Sequence, residues 1–480
     1  MVRCRTASVK RVCLSAKLQK AYDKIRDEFT ISTEKLKDLT DRFEFEMEKG
    51  LLMNRGTIPM IPTWVTDYVT GDEKGDFLAI DLGGTNLRVV SVHLKGSSDF
   101  DFEHVKYVLP DSVRKCSCEE LWDFIGDSLA EFMQNRYKVT VVQKIIPLGF
   151  TFSFPATQGR VNEGVLQRWT KGFDIAGVEG HDVVPLLQNA IDKRALPVKV
   201  TALINDTTGT LVASLYSDLE TKMGLIFGTG VNGAYYEKAS SIQKLLGSLP
   251  KEIARDGSIP MAINTEYGAF DNDHTCLPRT KYDIQLDEES PRPNQQSYEK
   301  MVAGYYMGEV LRLILLDLHQ QGLIFRGQDV SKLSSPFIMD TSYPARAEED
   351  DFCDLCQIYN MMKNTVGIQT TLVERELIQE LSRLIGRRAA RLSACAIAAI
   401  CKRINCTTGH CACDGSVFHK YPFFKERAQE ALDEILSWNT SRLPPIELVA
   451  AEDGSGVGAA IVACLAQNKK LKKHLYQSIL

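Results

Sequence analysis

A two-lobed α/β fold, with its lobes facing each other across a cleft, is predicted by two observations. A β-rich run, a glycine- and threonine-bearing turn and a second β-rich run occur at residues 77–92 and again at 224–236. Stretches with apolar residues at helical spacing surround both copies. A strand–turn–strand device repeated within one chain points to a duplicated unit, because each copy has an apolar face that needs a covering layer.

The elements follow in order. Residues 17–50 carry apolar positions near a 3.6 period on a highly charged background and read as helices. Residues 57–70 form a proline-containing connector. Phe77-Leu78-Ala79-Ile80-Asp81, the Gly83-Gly84 pair and the run from Leu87 to Val92 make a hairpin. Residues 224–227, Gly228-Thr229-Gly230 and residues 231–236 repeat it. Helical periodicity then marks 299–318 and 372–402. Residues 446–450 read as a buried strand, followed by Gly454, Gly456 and Gly458 and an apolar helix over 459–465.

Composition narrows the function. A length of 480 residues corresponds to roughly two to four domains. A net charge of −5 argues against a nucleic-acid-binding surface. No apolar run approaches the ~18–20 residues of a bilayer span, so a soluble protein is expected. Thirteen cysteines without a leader peptide do not suggest a disulfide framework. Cys353 with Cys356, and Cys401, Cys406, His410, Cys411 and Cys413, lack the paired spacing of a structural zinc site, and reduced thiols are expected. The basic start (Arg3, Arg5, Lys10, Arg11, Lys17, Lys20) reads as a solvated lead into the first helix rather than a transit peptide.

The turns carry chemistry. In Asp81-Leu82-Gly83-Gly84-Thr85-Asn86-Leu87-Arg88 the glycines allow backbone N–H groups to approach an anion; Thr85 adds a hydroxyl and Arg88 a permanent charge. Asp81, at a strand end, suits a magnesium ion held through water. Gly228-Thr229-Gly230 repeats the device, so the two turns could clamp a triphosphate from both sides of the cleft. Asp453-Gly454-Ser455-Gly456 and Asp414-Gly415-Ser416 would extend that surface. The Gly-Lys-Ser/Thr ending of a Walker loop is absent. Asp206, before Thr-Thr-Gly-Thr, reads on its own as a helix cap.

Longer motifs carry a resemblance. Residues 148–155 (Leu-Gly-Phe-Thr-Phe-Ser-Phe-Pro), Leu166-Gln167-Arg168-Trp169-Thr170-Lys171-Gly172-Phe173-Asp174, Leu203-Ile204-Asn205-Asp206-Thr207-Thr208-Gly209-Thr210 and residues 228–235 are similar to the hexokinase family, with fungal hexokinases the nearest in pattern. Asn264-Thr265-Glu266-Tyr267-Gly268, Ser290-Pro291-Arg292-Pro293 and residues 451–456 extend the resemblance over about 17–465. Asn294 departs from the glycine usual in that family's Pro-Arg-Pro-Gly segment, and His410-Cys411-Ala412-Cys413 from a more aliphatic strand.

The resemblance implies an actin-like (ribonuclease H-like) two-lobed ATPase fold. The smaller lobe would comprise 75–205 plus 446–464, and the larger 17–74, 206–445 and 465–480. It implies ATP-dependent phosphorylation of a hexose at the 6-hydroxyl, with Asp206 as general base and Lys171 as the cleft cation. Ser153, Phe154, Thr170, Lys171, Asn205, Asp206, Asn232, Glu266 and Glu299 would line the sugar pocket. Asp81, Leu82, Gly83, Gly84, Thr85, Asn86, Arg88, Gly228, Thr229, Gly304, Tyr305, Thr341 and Ser416 would hold ATP, and Mg²⁺ would arrive with the nucleotide. A non-catalytic sugar sensor and an N-acetylhexosamine kinase are the competing readings. A cytoplasmic monomer or homodimer is expected, with mitochondrial association or the nucleus as alternatives.

Overall fold

The computed structural model describes residues 14–54, 56–137, 144–170, 172–438, 445–451 and 453–479. Lys171 and the basic residues before Leu14 lie outside the described residues.

Two mixed sheets carry the fold. The first runs, in space, Asp99–Val108, Asn86–Gly96, Lys74–Leu82, Ile146–Phe152, Val198–Ile204. The second runs Pro260–Asn264, Val231–Lys238, Thr221–Phe227, Gly409–Asp414, Ile446–Ala450, with Ile61–Pro62 added beyond Pro260–Asn264. In each sheet three antiparallel strands are extended by two parallel ones. Both therefore share the order third-second-first-fourth-fifth, the duplication that the paired hairpins predict.

Two expectations need correction. Residues 446–450 were assigned to the smaller lobe, yet Ile446–Ala450 pairs parallel with Gly409–Asp414 in the second sheet. Ile446 and Leu448 are both fully buried in the larger lobe's core, which is where this strand gains its apolar contacts. What crosses to the first sheet is the following helix, Gly454–Ile479, which packs on four of its strands. The single helix expected over 299–318 is also two, Ser297–Val302 and Gly304–Gln320. Ala303 between them is extended (φ −75°, ψ 150°), and Gly304 N–H donates to the Gly228 carbonyl at 2.9 Å instead of the Lys300 carbonyl that a continuous helix would offer.

The N-terminal helices Ala16–Phe29 and Thr33–Leu52 are capped by Ser15 and Ser32 and bury Ile25, Phe29, Leu39, Phe43 and Met47 in the larger lobe. The smaller lobe's outer face is covered by Cys118–Tyr137 and Val183–Lys193. Between the sheets, Asp206–Ser217 crosses Gly454–Ile479 with little room to spare. A Cβ on Gly458 would lie 2.1 Å from the Gly209 carbonyl oxygen, and one on Gly149 2.0 Å from that of Ala459. Glycine is required here for backbone approach, not for a turn. Among the described residues no helix is long and apolar enough to cross a membrane.

Candidate active site

Register places the chemistry. Asp81, Thr151 and Ile204 stand abreast on three parallel strands, so the first Gly turn, the Ser153–Phe154 corner and Asn205-Asp206 all leave one sheet edge. In the second sheet Ile226 aligns with Asp414 and Cys413 with Ala450, so Gly228-Thr229-Gly230, Gly415-Ser416 and Asp453-Gly454-Ser455 also leave one edge. Ligands of open α/β sheets gather beyond such carboxyl ends.

Asp206 is the first residue of its helix, and Asn205 is the cap. The Asn205 Oδ1 accepts from the Thr208 N–H at 3.1 Å and from the Thr208 hydroxyl at 2.5 Å, while Asp206 Oδ1 accepts from Thr207 N–H at 2.8 Å. The capping role that Asp206 could have played thus belongs to its neighbour. Its half-buried carboxylate stands at the positive end of the helix, where negative charge is favoured.

Arg88 ties the two edges together. It donates to Asp81 Oδ2 through Nε (3.1 Å) and Nη2 (2.8 Å), to Asp453 at 3.0 Å and to the Ser455 hydroxyl at 2.8 Å. Ser455 Oγ in turn donates to Asp81 Oδ2 at 2.7 Å. Burial disfavours the Arg88 charge, but Asp81 and Asp453 outweigh it and raise the guanidinium pKa above its ordinary value. Its charge is committed to these carboxylates, which makes Arg88 a scaffold for Asp81. A cavity of about 450 Å³ opens here, lined by Asp81, Gly83, Thr85, Asn86 and Arg88. His104 and Lys106 line it as well, neither marked by the sequence reading. Lys106 sits directly opposite Arg88 on the neighbouring strand and brings a cation to the cavity. Leu82 is fully buried and turns its side chain to the core.

The second turn gathers the other expected nucleotide residues. Gly304 N–H donates to the Gly228 carbonyl (2.9 Å), Tyr305 N–H to that of Thr229 (3.3 Å), and the Thr341 hydroxyl to that of Gly304. A Cβ on Gly228 would lie 3.7 Å from the Ser416 nitrogen. Neither Gly228 nor Gly230 is left-handed; a Cβ on Gly230 would lie 2.6 Å from Glu299 Oε2 and would displace that carboxylate. Tyr305 is exposed and stacks on Phe337, ring centroids 5.0 Å apart.

The polar pocket residues form one network. Asn232 Nδ2 donates to Glu266 Oε1 (2.9 Å) and Asn264 Oδ1 (2.9 Å); Asn264 Nδ2 also donates to Glu266 Oε1 (2.8 Å). Glu266 has φ +54°, a left-handed strain that the bond from its N–H to Asn232 Oδ1 (3.0 Å) helps hold. Glu299 Oε2 accepts from Val231 N–H at 3.0 Å, beside the second turn. On the facing lobe Ser153 is half-buried, and Phe154 packs edge-on against Trp169 (5.0 Å) and Phe173 (5.1 Å). The Thr170 carbonyl accepts from Phe173 N–H at 3.1 Å, closing the loop that carries it. Asn264, in the sequence no more than a member of the Asn-Thr-Glu-Tyr-Gly motif, bonds to both Asn232 and Glu266, and its place two residues before Glu266 on the same strand end is the signal that points to it.

Asn294 takes φ +60°, a left-handed conformation that glycine adopts freely and that asparagine tolerates best among other residues. Its N–H donates to both oxygens of Asp287 at 3.1 Å, and Asp287 also takes Lys300 at 2.5 Å and Arg279 at 3.1 Å. Burial pushes the Asp287 pKa up, but Lys300 and the Asn294 N–H outweigh it and hold the carboxyl below its ordinary value. The stabilisation is therefore present above about pH 4, the unfolded value, and is lost as pH falls through the lowered folded one. Asp287→Asn, which leaves Lys300 buried without its partner, should cost about 3–5 kcal/mol at neutral pH. The deficit in apparent Tm against the parent chain should shrink as pH falls below 4; a pH-independent deficit would contradict the assignment.

Among the described residues no group of three or more His, Cys, Asp or Glu side chains is placed to hold a metal ion. A family model described as hexokinase matches residues 222–465, and a second with the same description matches 21–216. The chain is 58% identical to a hexokinase of Schwanniomyces occidentalis, covering 95% of each, and 59% identical to hexokinase-2 of Saccharomyces cerevisiae, covering 92% of this chain and 91% of the relative. Its fold matches the solved hexokinase of Schistosoma mansoni complexed with glucose, with TM-score 0.82 and 35% identity over 93% of this chain and 99% of that one. With one copy of the duplicated unit in each sheet, two hexokinase models matching most of its length and relatives nearly 60% identical, the chain belongs to the hexokinase family.

Proposed function

We propose that this chain transfers the γ-phosphoryl group of ATP to the 6-hydroxyl of a hexose, glucose foremost with fructose and mannose as further acceptors, as the opening step of glycolysis in the cytoplasm. The observation that carries the mechanism is Asp206 at the head of a helix already capped by Asn205, on the edge shared with the first Gly turn. Such a carboxylate can accept the 6-hydroxyl proton as the oxygen attacks. Asn232, Glu266 and Glu299, with Ser153, Thr170 and Asn205 opposite, would orient the sugar hydroxyls, which both donate and accept. Lys171 is proposed as the cation near the reacting oxygens.

The phosphates would lie in the cavity between Gly83, Thr85, Asn86 and Lys106, met from the other side by Thr229. Gly304, Tyr305, Thr341 and Ser416 would take the nucleoside. Asp81 fits a water-bridged Mg²⁺: Arg88 and Ser455 fix its Oδ2 beside the cavity, leaving a carboxylate edge of the right charge there. When bound, that ion would draw charge from the phosphate oxygens. Residues 75–205 with the C-terminal helix would move as the smaller lobe against the rest, closing to exclude water. The enzyme would act as a monomer or homodimer.

The kinship with hexokinases favours an enzyme over a silent sugar sensor. Release of ADP from MgATP, followed with a coupled assay, should depend on glucose, fructose or mannose and be weak with N-acetylglucosamine. Measurable glucose binding with no ADP from any hexose would favour the sensor; preference for the N-acetyl sugar would favour the other kinase.

A further inference from the structure

One bond between the lobes serves none of the roles above. Arg292, in the Ser290-Pro291-Arg292-Pro293 loop of the larger lobe, donates from Nη2 to the Trp169 backbone carbonyl at 2.8 Å. Both ends are firmly mounted. On the larger lobe, the Arg292 carbonyl accepts from Lys300 Nζ at 2.7 Å, and Lys300, with a side chain only 6% exposed, is paired to Asp287. On the smaller lobe, the Trp169 indole is buried against Phe154 and Phe173, its Nε1 donates to the Ile175 carbonyl (3.0 Å) and its backbone N–H to Glu179 (2.6 Å). The carbonyl that Arg292 holds belongs to the residue immediately before Thr170.

We propose that Arg292 is a positioning residue of the sugar site: a latch that holds Trp169 against the larger lobe and so brings the adjoining Thr170 to the sugar. The inference rests on the hexose-kinase reading. It follows from the geometry: the backbone of Arg292 is held by Lys300 of a buried ion pair, the acceptor carbonyl belongs to a residue whose indole and backbone N–H are both bonded within the smaller lobe, and separating the lobes would break the bond between them. A bond made when the lobes are together and broken when they part shifts the equilibrium toward the closed form by its full worth. A hydrogen bond from a charged donor corresponds to about tenfold or more. The acceptor is a single backbone carbonyl, so a lysine ammonium can replace the fork in part.

The test compares Arg292→Ala and Arg292→Lys with the parent chain in steady-state kinetics for glucose and MgATP, in glucose titration of tryptophan fluorescence, and in thermal melting. Arg292→Ala should lower kcat/KM for glucose about tenfold, raise the half-saturation of the fluorescence change, and leave KM for MgATP and the melting temperature close to the parent's. Arg292→Lys should recover part of the loss. If the alanine variant does not fold, Arg292→Met, which keeps the apolar stem, takes its place. Kinetics for glucose within about twofold of the parent, or a loss that lysine does not relieve and that tracks a fall in melting temperature, would overturn the latch. An inactive parent chain would instead count against the hexose-kinase reading.

Discussion

Asp206→Ala should abolish nearly all hexose-dependent turnover, about 10²–10⁴-fold, while glucose still binds. The two halves of that expectation rest on different observations. The loss follows if the carboxylate takes the proton of the attacking hydroxyl. Retention of binding follows because the bonds that join Asn232, Asn264 and Glu266, and the one from Val231 N–H to Glu299, do not run through the Asp206 side chain. The helix should also survive, since Asn205 is its cap and alanine is a strong helix former. Were Asp206 only a structural cap, the alanine variant would melt earlier, with a stability cost of about 1 kcal/mol, and keep most of its activity. Steady-state kinetics, calorimetric glucose binding and a melting curve on the same preparation separate the two outcomes, and turnover within a few-fold of the parent would remove Asp206 from the role of base.

Gly458→Ala should be among the most damaging single-methyl changes at the described residues. The added Cβ would lie 2.1 Å from the Gly209 carbonyl oxygen and 2.5 Å from the Gly209 Cα, both backbone atoms that no rotamer change can move. The helices Asp206–Ser217 and Gly454–Ile479 would have to separate, and overpacking of this kind costs about 3 kcal/mol or more. One of these helices begins at Asp206 and the other at the Asp453-Gly454-Ser455 turn that holds Arg88 and Asp81. The strain should therefore appear twice, as a lower apparent Tm and as a reduced kcat in whatever protein remains folded. A variant with the melting curve and kcat of the parent would show that the crossing is looser than these contacts require.

Much of the fold was legible because its signals are local. The Gly-Gly and Gly-Thr-Gly turns between β-branched runs announced both hairpins, and their repetition announced the duplication. The third strand of the first sheet, Asp99–Val108, gave no such signal. It is an edge strand with nearly every residue exposed, so no apolar alternation marks it. Lys106 and His104, which lie on it and line the cavity beside the first Gly turn, were missed for the same reason. The break at Ala303 was invisible because the helical period runs through it; the bond from Gly304 to Gly228, made by distant chain, is what interrupts the helix. Sheet membership of Ile446–Ala450 was likewise set by a partner strand and not by its own residues.

Within the candidate site, residue types were legible and their partners were not. Asn205 and Asp206 are adjacent and either could cap a helix; only the fold assigns the cap to the first. Arg88 was expected beside the first Gly turn and does line the cavity there, but its bonds to Asp81 and to Asp453, the second 365 residues away in sequence, could not be read from its own segment. Arg292 was part of a recognised motif without a task until its bond to Trp169 gave it one.

The most direct measurement of the central claim is ³¹P and ¹³C NMR of the product formed from glucose and MgATP, run beside the Asp206→Ala variant. The account predicts glucose phosphorylated at the 6-oxygen by the parent chain, with ADP in equal amount, and almost no product from the variant. Inorganic phosphate without sugar phosphate, a phosphate on another oxygen, or equal product from both chains would contradict it.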